Sequence, residues 1–168
     1  MMAFDLASKT MSWHNTLSGA DDGVPAGIAF DGSQLLVAAA TSMPQGFTGI
    51  MAVNPADGTV TKRTQYDVAP WGVIAPDATA QLVGDRLVLN NGGWLHVITQ
   101  EQLNGTRAIR PRWLAHVIPR NGEVNPHYMM MTGNFVMHGD MVMGCGLYTD
   151  VENGSLVRKS KLFHIQLP

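Results

Sequence analysis

The chain contains one cysteine, Cys145, among 168 residues, which excludes an internal disulfide framework and a Cys-rich zinc site. Charge is scarce as well. Asp, Glu, Lys and Arg make up 14% of the residues, against about 25% in an average soluble domain. With 11 Lys+Arg facing 13 Asp+Glu, no positive excess is present to neutralise phosphates, so nucleic acid is disfavoured as a partner. No apolar run approaches the ~18 residues that would cross a bilayer, so membrane insertion is not expected. Asp5, Lys9 and His14 follow Met1–Phe4 too closely to leave the apolar core of a secretion signal, and the compartment stays unknown. No phosphate-cradling loop, nucleophile elbow or His-Glu-x-x-His pair is present. The 45% hydrophobic content and net charge of -2 argue against disorder, and the length fits one domain.

What the sequence does have is turn punctuation. Asn-Gly occurs at Asn91, Asn104, Asn121 and Asn153, and Asp-Gly at Asp22, Asp31 and Asp57. These pairs tolerate the positive φ of tight hairpin turns and so separate strands rather than helices. Between them lie apolar runs at Gln34–Ala40, Arg86–Asn90, Leu95–Thr99, Met141–Cys145 and Lys161–Leu167. Each has strand length. The helix candidates, Ala38–Met43 and Thr99–Leu103, fall short of a typical helix of ~11 residues. The expected class is all-β.

Three stretches share one hairpin pattern, Ile28–Val37, Gln81–Leu89 and Asn134–Met143, with Leu36, Leu87 and Val142 spaced by 51 and 55 residues. A further element follows each hairpin. The expected unit is therefore a four-stranded antiparallel meander of about 50 residues, the size of a propeller blade. Units fall near 28–64, 82–116 and 134–168, and residues 2–14 supply two outer strands. Three to four blades are few for a ring of about 4–8. The chain is then read as one propeller-like domain, or as a segment of a larger or multi-chain ring.

Ala3-Phe-Asp5-Leu-Ala-Ser8-Lys9-Thr-Met-Ser-Trp13 resembles the repeat of quinoprotein-like (PQQ-type) β-propellers, which runs Ala-x-Asp-x-x-Thr-Gly-x-x-x-Trp. Ala3, Asp5 and Trp13 match, Ser8 replaces Thr, and Lys9 stands where the turn glycine is expected. Ala52-Val-Asn54-Pro-Ala-Asp-Gly58-Thr-Val-Thr-Lys62 repeats the spacing 49 residues later, with Gly58 present, Asn54 for Asp and Lys62 for Trp. In this pattern Asp or Asn bonds the turn backbone, Gly supplies positive φ, and Trp packs between blades. The resemblance does not bring a quinone site. The family's enzymes use adjacent cysteines, and only Cys145 exists. Their full ring also has eight blades. A redox enzyme is disfavoured and no cofactor is expected.

Some residues carry other chemistry. His127, His138 and Asp140 offer donors that a divalent metal accepts, yet His138-Gly139-Asp140 also reads as a hairpin turn. Cys145 lies between two glycines and reads as a small buried residue on an inner strand rather than a nucleophile. His96 and His164 read as half-buried strand residues. Met129, Met130 and Met131, with Met137, Met141 and Met143, offer an adaptable contact surface, against core filling as the plainer reading. Arg110, Arg112 and Trp113 belong to the one basic patch, Arg107–Arg120, expected to be a solvated outer strand and a partner-contact candidate.

The sequence thus points to a non-catalytic propeller module, a structural subunit that contacts a protein partner or itself in a larger assembly. A virion or tail component is one concrete form. The competing expectation is a ligand-binding or quinoprotein-like propeller, or a fragment of one, with a small molecule at the central channel.

Overall fold

The computed structural model describes residues 1–17, 23–41, 47–67, 74, 76, 78–91, 94–110, 113–116 and 135–167; within the strands, the side chains of 113–116, 146–151, 156, 158, 161 and 163 lie outside the description. Nearly every described element is a strand. The N-terminal hairpin joins β1 (Met2–Asp5) to β2 (Thr10–His14). One four-stranded sheet follows in chain order: β3 (Val24–Phe30), β4 (Leu35–Ala40), β5 (Gly49–Val53) and β6 (Val60–Gln65). A second comprises β7 (Thr79–Val83), β8 (Arg86–Asn91), β9 (Trp94–Thr99) and β10 (Trp113–His116). The last has three strands, β11 (Phe135–His138), β12 (Met141–Glu152) and β13 (Ser155–Gln166). All strand pairs are antiparallel, so each sheet is a simple meander. Each sheet is separate, and among the described residues they do not close into a ring or barrel.

The turns follow from local chemistry. Asp31 Oδ1 accepts from the Ser33 and Gln34 amides, and Asp57 Oδ1 accepts from the Thr59 amide and hydroxyl. Asp5 Oδ1 does the same for the Ala7 and Ser8 amides, and Asn54 Oδ1 for the Ala56 amide. Each is a side chain standing in for the missing ladder partner. Gly58 adopts φ +75°, and Lys9, its counterpart in the first hairpin, is held at φ +56° despite its Cβ.

The one described helix, α1 (Gln100–Asn104), begins where Thr99 and Gln102 form a reciprocal capping box. At its far end Lys62 Nζ donates to the Leu103 carbonyl at 2.7 Å, supplying a cation to a helix C-terminus.

Packing is layered. Ala29, Leu36, Ala38, Ala40 and Ile50 of the first large sheet meet Leu87, Leu89 and Ile98 of the second. The opposite face of the second sheet, through Val88, Leu95 and Val97, meets Phe135, Val142 and Leu167 of the three-stranded sheet. The opposite face of the first carries Val37, Ala39, Met51 and Val53, against Met1 and Leu17 beside the hairpin. Strands β4 and β8 are therefore buried on both faces, which is why they read as unbroken apolar runs rather than alternating ones. The first strands of successive sheets lie side by side, β3 against β7 and β7 against β11. A Cβ on Gly27 of β3 would come within 2.8 Å of the Ala80 amide nitrogen of β7.

Two strand expectations are corrected. β12 and β13 are 12 residues each, far longer than the runs Met141–Cys145 and Lys161–Leu167, because the Asn153-Gly154 turn closes one continuous ladder from Met141↔Gln166 to Glu152↔Ser155. Cys145 is exposed, not buried. β11 accompanies β12 only as far as Gly144, and strand alternation puts Cys145 on the same outer face as the exposed Met143.

Candidate functional site

Two of the three metal candidates, His138 and Asp140, are described. His138 ends β11 and is exposed, Asp140 sits in the following turn, and His127 lies outside the described residues. Asp140 Oδ1 already accepts from Arg86 Nη1 at 3.3 Å, tying the β11–β12 turn to the start of β8. Among the described residues no group of three His, Cys, Asp or Glu side chains could hold a metal ion.

Of the interaction candidates, only Arg110 is described with its side chain. Met129, Met130, Met131 and Arg112 lie outside the described residues. The backbone of Trp113 opens β10 opposite Val97, and its side chain is not described. Arg110 is exposed, and its Nε donates to Asp67 Oδ2 at 2.6 Å, so its charge is matched within the chain. Met137 and Met141 are half-buried, and Met137 packs into the joint with the three-stranded sheet.

Among the described residues, one buried polar pair has no counterpart in the expectations drawn from the sequence. Tyr66 and His96 are both buried in the joint between the two large sheets, 30 positions apart, correcting the expectation of a half-buried His96. Their rings stack with centroids 5.7 Å apart and planes 16° from parallel, and the Tyr66 hydroxyl hydrogen-bonds His96 Nδ1. Burial pushes the His96 pKa down to about 4 and raises that of Tyr66, so the pair is neutral at neutral pH. A neutral pair shut away from solvent has no substrate within reach. Its effect is to hold the joint and satisfy its own polar atoms. The sequence signal was slight: Tyr66 follows a polar strand, and only the parallel bridge to Ile109 places it in the joint.

A second joint links the Ala3–Trp13 and Ala52–Lys62 stretches. Trp13 packs over Gly58, where a Cβ would come within 2.4 Å of the indole. Its Nε1 donates to the Pro55 carbonyl at 2.8 Å, and Asn15 Nδ2 donates to the Gly58 carbonyl at 2.5 Å. The tryptophan of the Ala3–Trp13 stretch thus seats on the turn of the Ala52–Lys62 stretch.

What the surface offers is apolar rather than catalytic. Met2, Phe4, Leu6 and Met11 of the hairpin are exposed, as are Val136, Met143 and Leu162 of the three-stranded sheet. Ile28 and Phe30 of β3 are 52% and 56% exposed, on the same face of their sheet as the buried Val37 and Val53. No helix among the described residues is long and apolar enough to cross a membrane. Comparison with family models, with curated proteins and with solved structures returns no match.

Proposed function

We propose that the chain is a β-propeller-type module with PQQ-like repeats, acting as a non-catalytic structural and protein-contact subunit of a larger assembly. The observation that carries this reading is the Trp13–Gly58 joint. Two stretches recognised by spacing alone meet through two residues that the spacing singles out, Trp13 of one and Gly58 of the other, with the Pro55 carbonyl accepting from the indole. Consecutive meanders whose first strands lie side by side, β3 by β7 by β11, are what blades around an axis require. The contact role is supported by the exposed apolar faces at both ends of the stack, since such patches on a charge-poor chain mark interaction surfaces.

Sedimentation velocity, run beside thermal melts with zinc, calcium or a free quinone, tests the reading. Mass should rise with concentration up to about 100 μM, and the additives should leave the melting temperature unmoved. A monomer at every concentration that one additive stabilises by several degrees would replace the contact role with a ligand site.

A further inference from the structure

Sulfur donors gather on the outer face of the three-stranded sheet. Val142 of β12 points into the joint with the second large sheet, so Met141, Met143 and Cys145 share the opposite face. The register sets His164 of β13 directly across from Met143, and His138 of β11 directly across from Met141. Leu162 stands across from Cys145, one row beyond His164. Met143, Cys145 and His164 are all exposed.

Residues directly opposite one another place their Cβ atoms ~5 Å apart, and diagonal or next-but-one neighbours on a face lie ~7 Å apart. Met143, Cys145 and His164 therefore form a triangle from which a thioether, a thiol and an imidazole reach a common point above the sheet. The β11 strand accompanies β12 only as far as Phe135↔Gly144, so no residue of β11 stands across from Cys145 and that corner is open to an incoming ion. Among the described residues, no side-chain hydrogen bond or ion pair engages Cys145 or His164.

We propose that Met143, Cys145 and His164 bind a single soft monovalent ion, copper(I), for which silver(I) is a redox-inert stand-in. The donor set selects the ion, because thiolate and thioether sulfur favour copper(I) and imidazole suits copper as well. Charge agrees. As the bond from Cys145 Sγ to the metal forms, the thiol proton leaves to water, and one thiolate then neutralises one monovalent cation. The neighbouring rows of this face carry Val136, His138, Met141, Leu162 and Gln166, without a carboxylate that a divalent ion would draw on. Asp140, in the adjoining turn, is already paired with Arg86. Zinc would find only Cys145 and His164 of the four ligands it usually takes. The assignment is independent of the contact role proposed above.

The test is an anaerobic competition between the full chain and bicinchoninate, a colorimetric copper(I) chelator, with ascorbate as reductant. The wild-type protein should withdraw one equivalent of copper(I). One equivalent of silver(I) should abolish that uptake, and equimolar zinc should not. Cys145→Ser, Met143→Leu and His164→Gln, all at exposed positions, should each weaken the affinity at least ~10-fold. Met11→Leu, which removes an exposed thioether from the N-terminal hairpin, should leave it unchanged. Circular dichroism verifies that every variant keeps its strands. Absence of uptake by the wild-type protein overturns the assignment, as does displacement by equimolar zinc. So does undiminished uptake in either Met143→Leu or His164→Gln, which would leave the thiol without its partners.

Discussion

The joint between the two four-stranded sheets and the two ends of the stack are built from the same meanders and the same Asp and Gly turns, but they differ in what covers them. In the joint, Leu36, Leu87, Leu89 and Ile98 lose all or nearly all contact with water, and the polar Tyr66 and His96 satisfy each other. At the ends, apolar residues of the same kind stand in solvent: Phe4 and Met11 on the hairpin, Val136 and Leu162 on the last sheet. Strand formation therefore does not depend on two-sided burial here. What two-sided burial adds is stability, because each further covered face contributes about 25 cal/mol for every Å² removed from water.

The largest expected effect breaks this contrast at its strongest point. Leu89→Ala opens a cavity at a fully buried site and should cost about 2–5 kcal/mol, whereas Leu162→Ala should change stability by less than about 0.5 kcal/mol. Urea denaturation of the two variants measures the difference. Equal losses would mean that the last sheet is as well covered as the joint.

The next effect is a dependence on pH confined to the joint. The folded pKa of His96 is lowered to about 4 from 6.5, so the fold prefers the neutral ring. Its contribution is fully present above pH 6.5 and falls as the pH drops from there through 4, because over that window the unfolded chain binds a proton the folded one refuses. The slope should approach about 1.4 kcal/mol per pH unit. Denaturation midpoints of the wild-type protein and His96→Gln between those limits test it. The variant should lose the histidine's share of the slope, and an unchanged profile would place the acid sensitivity elsewhere.

The smallest effect belongs to the hairpin end. Lys9 occupies a left-handed conformation that glycine adopts without strain, so Lys9→Gly should stabilise the hairpin by about 0.5–1 kcal/mol. Slower amide exchange in Met2–His14, with none in the joint, is the expected signature.

The sequence revealed features whose causes are local. Asp31, Asn54 and Asp57 bond their own turns, so their positions announced hairpins correctly. Thr99–Leu103 read as a helix candidate, and a one-turn helix over Gln100–Asn104 stands there because Thr99 and Gln102 cap it. Features that depend on distant residues were hidden. His96 looked half-buried because nothing near it in the chain announces Tyr66. Cys145 looked buried because its neighbours are small, whereas its exposure is decided by where β11 stops. The far halves of β12 and β13 were missed because Asp150, Arg158, Lys159 and Lys161 break the apolar alternation by which strands are recognised.

Gly27 has a mechanical consequence. It lies where β3 passes close to Ala80 of β7, while the same joint also holds Tyr66, Leu103 and Ile109. The two sheets meet like the leaves of a hinge, thin at the pin and thick at the free edge. A methyl group added at Gly27 pushes at the pin, where the lever arm is shortest. A displacement of a few tenths of an ångström there would swing the free edges, three strand spacings or ~14 Å away, through a larger arc. The missing side chain of one glycine thus sets the angle at which every later layer leaves the first.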